Sequence, residues 1–227
     1  AGAMGNVLNL RHLARICDPR RDFYGIQARG LSSDAEPHRT LEAAAEAYLE
    51  EVRRVQPHGP YYLGGFCIGG VAALEMARRL QEAGEQVALL AMLDSHLPEV
   101  RGTLGVRDKA QIHIERFRED GPDYVREWMR QKYAWEVGRL RRQVGLAKDA
   151  AIDPAQYRSD LVHQAIMYAR SLYQPRFYDG HIVLFRPPLA AKHHLGGGLV
   201  IDRDRSFLRE DNGWRRMVRS LEIHELA

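Results

Sequence analysis

The sequence predicts an α/β domain in which helices flank a mostly parallel sheet and an all-helical insertion interrupts the order. Three observations predict it. Residues 1–96 alternate short strand-like runs with amphipathic helical periods. Residues 97–175 hold helical periods and no convincing strand. From residue 176 to 227 the strand pattern returns. Strands separated by helices imply right-handed βαβ units and a parallel sheet.

In the first segment, Phe23-Tyr24-Gly25-Ile26-Gln27 reads as a short strand. Leu41, Ala44, Ala45, Tyr48, Leu49, Val52 and Val55 fall at helical spacing, with Thr40 placed to cap the N-terminus. Pro57 to Pro60 ends that helix. Tyr61-Tyr62-Leu63 reads as a strand, and a second helix runs from about Gly70 to Ala83, with Gly84 suited to its C′ position. Val87 to Leu93 is continuously apolar, as a strand buried on both faces would be.

In the insertion, Val125, Met129, Tyr133, Val137, Leu140 and Val144 step along one face of a long helix whose start is marked by Asp120-Gly121-Pro122. Asp153-Pro154 opens another, with Leu161, Ala165, Tyr168 and Leu172 along its apolar face and Pro175 as its stop. These helices form a lid or subdomain, or simply cover the sheet. In the last segment, His181-Ile182-Val183-Leu184-Phe185 is a buried strand, Pro187 to Gly213 is loop-rich, and Leu221 to Leu226 alternates like a final strand.

Composition narrows the function. The chain has 227 residues, 45% hydrophobic and 28% charged, with a formal net charge of +3. That excess is too small to argue for nucleic acid, and no basic run is interleaved with aromatics. No stretch approaches the roughly 18 to 20 apolar residues that span a bilayer. The cysteines, Cys17 and Cys67, form neither a disulfide framework nor a zinc site, so a reducing cytoplasm is the expected setting. No cluster has metal-ligand spacing, and no bound cofactor is expected. Cys17, at a predicted helix end before Asp18-Pro19, reads as structural.

Leu63-Gly64-Gly65-Phe66-Cys67-Ile68-Gly69-Gly70 joins a strand to a helix. Gly65, Cys67 and Gly69 match the G-x-S-x-G nucleophile elbow with sulfur replacing oxygen. Such a turn holds its central residue in strained geometry and presents it at a helix N-terminus. Free N–H groups and the helix dipole favour negative charge there, so a thiolate gains from that field. The N–H of Ile68 is placed to stabilise an oxyanion. The bland alternative is a tight turn holding a buried cysteine.

Around this motif the chain resembles the type I thioesterase domains of nonribosomal peptide and polyketide synthetases. The resemblance rests on Tyr24-Gly25-Ile26-Gln27-Ala28-Arg29-Gly30, Gly59-Pro60-Tyr61-Tyr62-Leu63-Gly64-Gly65, Ala73-Leu74-Glu75-Met76-Ala77, Tyr178 to Arg186, and Gly213-Trp214. It implies an α/β-hydrolase fold with a helical lid. It makes Cys67 the nucleophile and Asp94, 27 residues further on, the triad acid. The histidine is expected in a loop after the final strand. His224 falls within that strand, and His181, His193 and His194 fall in the wrong places, so the base is expected beyond Ala227. Ala1 to Leu8 resembles the loop whose backbone N–H supplies half the oxyanion hole, which points to Gly2; a vector scar at Ala1 to Gly5 is the competing origin. Both ends therefore read as truncated.

The resemblance also implies the chemistry. An acyl or peptidyl chain arrives on the phosphopantetheine of an upstream carrier protein, moves to Cys67, and leaves by hydrolysis or cyclisation. The alternatives are a stand-alone editing thioesterase and a non-catalytic acyl-binding domain lacking its histidine.

Overall fold

The computed structural model describes residues 2–17, 20–97, 110, 113–114, 117–118, 120–130, 132–133, 154–189, 193–195, 199–201 and 207–226. The chain forms two compact units, one of Ala1–Val100 with Asp153–Ala227 and one of Arg101–Ile152.

The larger unit is built on a four-stranded parallel sheet. Its strands are β1 (Tyr61–Phe66), β2 (Val87–Leu93), β3 (Tyr178–Arg186) and β7 (Val218–Glu225), in the spatial order β1-β2-β3-β7. Its helices are α1 (Arg11–Ile16), α2 (Leu41–Val55), α3 (Ile68–Glu82) and α4 (Pro154–Leu172). Thr40 caps α2, its hydroxyl accepting a bond of 3.1 Å from the Ala43 N–H. Gly84 takes the left-handed conformation just past α3 that the chain needs to turn into β2. Cys17 caps the end of α1, its N–H donating to the Leu13 carbonyl.

One core unites α3 with the sheet and α4: Val71, Leu74, Leu90, Met92, Ala169, Ile182, Leu184 and Trp214 are all buried in it. A second cluster of Ala45, Leu49, Tyr61, Met76 and Leu80 ties α2 and α3 to β1. Where α3 meets the end of α4, the buried Glu75 carboxylate accepts bonds from Arg78, Arg79 and the Tyr173 hydroxyl.

Several expectations change. Phe23 to Gln27 has no regular secondary structure; Phe23 and Tyr24 are exposed, and the nearby Ala28 N–H donates to the Gly5 carbonyl in a loop contact. β2 is not buried on both faces. Only Ala91 to Leu93 pair with β3, so Leu89 on the earlier part stays exposed while Leu90 and Met92 are buried. The inward stripe of α4 is the buried Val162 and Ala169 with the partly buried Ile166 between them, continued by the buried Tyr173. The expected stripe is rotated by one residue, leaving Leu161, Tyr168 and Leu172 exposed. Between Pro187 and Gly213 lie three short antiparallel strands, β4 (His193–Leu195), β5 (Leu199–Ile201) and β6 (Phe207–Arg209), rather than loop alone.

In the smaller unit, residues 120–130 are helical and Gly121 has a left-handed φ of 59°. Residues 117–118 are also helical, so Asp120-Gly121-Pro122 is not where helical structure in this unit begins. The His113 ring lies edge-on to Trp128 and bonds the Tyr124 hydroxyl at 2.5 Å. Val137, Leu140 and Val144 lie outside the described residues. Among the described residues no helix is long and apolar enough to cross a membrane.

Candidate active site

The site is assembled at the carboxyl ends of β1 and β2, where parallel α/β sheets gather their reactive groups. β1 stops at Phe66 and α3 starts at Ile68, so one residue, Cys67, makes the whole turn. It does so at φ 53° and ψ −123°, a conformation that residues with a Cβ rarely adopt. Its main chain is fixed on both sides. The Cys67 N–H donates to the Leu93 carbonyl at 2.8 Å, and its carbonyl accepts from the Gly70 N–H at 3.1 Å and the Ser95 hydroxyl at 2.6 Å. The thiol is free and half-buried. Gly65 is required by the closeness of this turn. A Cβ there would lie 2.1 Å from the Gly69 carbonyl oxygen, so any side chain would part strand from helix.

Phe66 pairs with Leu93 in the β1–β2 register, which brings the next residues, Cys67 and Asp94, side by side. Asp94 is also bent out of the strand, at φ 45°, while its N–H still donates to the Phe185 carbonyl of β3 at 2.7 Å. Its carboxylate meets the His96 ring, with Nε2 3.2 Å from Oδ1.

The turn carrying Asp94 is held from the far end of the chain. Ser95 is fully buried, and its carbonyl accepts from Asn212 Nδ2 at 3.0 Å and Trp214 Nε1 at 2.8 Å. The Leu97 N–H donates to the Asn212 carbonyl at 3.1 Å. Asp211 braces that second turn by accepting from the N–H groups of Gly213 and Arg215.

Gly2 lies against the elbow: a Cβ on it would stand 3.0 Å from the Phe66 ring and 3.9 Å from the Phe66 carbonyl oxygen. Its loop is closed by the Gly5 N–H donating to the Gly2 carbonyl at 2.9 Å. From α4, His163 Nδ1 lies 3.2 Å from the Ala3 carbonyl. Ile68 is the first residue of α3, and a first-turn N–H has no partner within its own helix.

The structure therefore brings Cys67, Ile68, Gly2, Gly65, Gly69 and Asp94 into one neighbourhood. It does not bring His181 or His224 there. His181 bonds Ser220 across β3 and β7, and His224 bonds Glu222 and stacks on Phe185, both exposed. The side chains of His193 and His194 are outside the description. Sequence reading missed His96, Ser95 and Asn212. The first two were within reach, since they directly follow Asp94; Asn212, 117 residues from Ser95, carried no signal.

Burial is the main influence on His96 and pushes its imidazole below the usual range. Asp94 pulls the other way, while Arg170 of α4 and Arg186 of β3 add to the lowering. Among the described residues no group of three or more His, Cys, Asp or Glu side chains is arranged to hold a metal ion.

Comparison with known proteins identifies the family and the fold. A profile described as "Thioesterase domain" matches residues 2–130. Among curated relatives, a malpinin synthetase of Mortierella alpina is 44% identical over 103 residues, 45% of this chain. The polyketide synthase PksR of Bacillus subtilis is 42% identical over 94 residues, 41% of this chain. Enterobactin synthase component F of Escherichia coli is 40% identical over 99 residues, 44% of this chain. The matched regions are 1%, 4% and 8% of those relatives' own lengths. Among solved structures, a four-domain nonribosomal peptide synthetase bound to AMP and glycine has a TM-score of 0.64 at 26% identity. That match covers 100% of this chain and 17% of the other. The NocB thioesterase domain, in covalent complex with a fluorophosphonate nocardicin G analogue, has a TM-score of 0.62 at 24% identity. It covers 99% of this chain and 80% of the other, and bears out the α/β-hydrolase fold.

Proposed function

The chain belongs to the thioesterase domain family, and on that premise we propose that Cys67 releases an acyl or peptidyl chain from the phosphopantetheine thioester of an upstream carrier protein. The Cys67 Sγ attacks the thioester carbonyl carbon, and the negative charge moves onto the carbonyl oxygen. Collapse of that intermediate expels the phosphopantetheine thiol and leaves the chain as a thioester on Cys67. Attack by water, or by a nucleophile within the chain, then frees the product. The first step exchanges one thioester for another, so little free energy is lost and the bound acyl group stays activated.

The other residues take matching roles. The N–H groups of Ile68 and Gly2 bind the oxyanion, with Gly65 and Gly69 permitting the turn that aims them. Asp94 orients a base histidine and stabilises its imidazolium as it accepts the thiol proton. In this reading the setting is cytoplasmic.

One observation carries the proposal: a cysteine at φ 53° forms the whole junction between a parallel strand and a helix N-terminus, beside the carboxylate of the next strand. The test is Cys67→Ala in the full-length protein, assayed with an acyl N-acetylcysteamine thioester. Turnover is expected to fall by at least about 10³-fold. Parental turnover would remove the nucleophile assignment.

A further inference from the structure

The resemblance to synthetase thioesterases supplies a nucleophile and an acid but no role for His96, the side chain that hydrogen-bonds Asp94 among the described residues. The Asp94 side chain is 42% exposed and stands on a left-handed backbone, so it has little packing to set its direction. His96 does have a fixed origin. Ser95 before it is tied to the Cys67 carbonyl, Asn212 and Trp214, and Leu97 after it is buried and tied to Asn212.

We propose that His96 is a positioning residue whose imidazole holds the Asp94 carboxylate in place beside Cys67. The inference rests on the assignment of Cys67 and Asp94 above. His96 Nε2–H donates to Asp94 Oδ1, and Oδ2 remains to receive the base histidine. The same rivet, Ser95, joins the Cys67 carbonyl to the main chain between Asp94 and His96, so nucleophile and acid keep their spacing as one unit.

The groups facing His96 set how it responds to pH. Asp94 on its own turn favours the imidazolium, while Arg170 from α4 and Arg186 from β3 disfavour it, as does burial. At neutral pH the ring is neutral and serves as a single donor. In acid the imidazolium forms an ion pair with Asp94 and competes with the base histidine for the carboxylate, so release slows.

The experiment measures kcat and KM against pH for His96→Ala, His96→Gln and Asp94→Asn in the full-length protein, with hexanoyl N-acetylcysteamine as probe. Loss of the donor in His96→Ala is expected to lower kcat about 10- to 100-fold with KM unchanged. His96→Gln keeps an N–H donor without a titrating ring. It should regain most of the rate at about pH 8 and lose the part of the acid limb that belongs to His96. In the Asp94→Asn background, His96→Ala should cost almost nothing more, because the two residues act as one.

A His96→Ala protein with parental kcat and pH profile overturns the proposal, as does full additivity with Asp94→Asn. A loss as complete as that of Cys67→Ala would make His96 the base itself and overturn the positioning role. The two readings fail separately. If Cys67→Ala and Asp94→Asn turn over normally, the proposed function falls. If both are inactive and the His96 variants match the parent, only the positioning role falls.

Discussion

Cys67 holds a backbone conformation that costs a residue with a Cβ on the order of 1–3 kcal/mol. The surrounding bonds impose it, since the N–H and carbonyl of Cys67 are pinned to β2 and to Ser95. Gly65 is the counterpart that lets the helix sit so close to the strand. Gly65→Ala should cost about 3 kcal/mol or more, because its Cβ would meet backbone atoms that have no rotamer to yield. Gly64→Ala is the control, since its Cβ would meet the Ala91 carbonyl oxygen at 3.4 Å, an ordinary contact. Urea midpoints for the two variants, with the rate of Cys67 alkylation by iodoacetamide, check this; equal midpoints would falsify the steric account. At this scale the elbow was legible because its requirements fall on adjacent residues. Asp94 was legible only through the resemblance, since a lone aspartate after a strand also suits an ordinary turn. The Asn212 and Trp214 contacts were hidden because they join turns more than a hundred residues apart, and no local pattern encodes such a pairing.

Helix α4 shows what periodicity leaves undecided. Leu161, Ala165, Tyr168 and Leu172 step by the same intervals as Val162, Ile166, Ala169 and Tyr173. Both sets are apolar enough to face a core, and a shift of one residue is a rotation of about 100°. Packing chooses the second set. Val162 lies against the loop of Gly5, where an added Cβ would meet it at 2.6 Å, and Ala169 lets the helix approach the sheet core. The larger Leu161 and Tyr168 are left at the surface, at 41% and 58% exposure. Val162→Ala should therefore cost about 2 kcal/mol, and Leu161→Ala should fall within roughly 0.5 kcal/mol of the parent. Denaturant midpoints decide, and a larger loss at Leu161 would restore the rotation expected from sequence. Val162→Ala should also slow acyl transfer, because the Gly2–Gly5 loop rests on it. The strands β4, β5 and β6 escaped sequence reading for another reason: three residues each are too few for a period-2 pattern to stand out. The long strands and α2 and α3 were legible because each repeats its period several times and carries a cap or a breaker.

In the larger unit α3 packs against the sheet, and Glu75 on it, the one buried carboxylate among the described residues, sets how this unit meets acid. Glu75 is 1% exposed. Burial works to raise its carboxyl, but the bonds and charges of Arg78 and Arg79 outweigh that and hold it below the ordinary glutamate range. The Tyr173 hydroxyl, just past α4, donates to the same carboxylate at 3.2 Å, so α3 and α4 share one charged knot. Burial, with Glu75 beside it, pushes the Tyr173 phenol well above its usual range, which keeps it a neutral donor. A carboxyl lowered in the folded state stabilises that state fully above its unfolded value of 4.5, and the contribution is lost as pH falls through the lower folded value. The chain should therefore lose stability progressively below about pH 4.5, with Glu75 contributing to the slope. Glu75→Gln keeps the shape and removes the charge. It leaves the buried Arg78 with the exposed Glu82 as its remaining counter-ion, so it should cost about 3 kcal/mol near neutral pH, the low end for a broken buried pair. In the acid range its stability should depend less on pH than the parent's, and the two curves should converge as Glu75 protonates. Urea midpoints from about pH 3 to 7 test the point. Parallel curves would mean that the knot holds the helices together by shape alone.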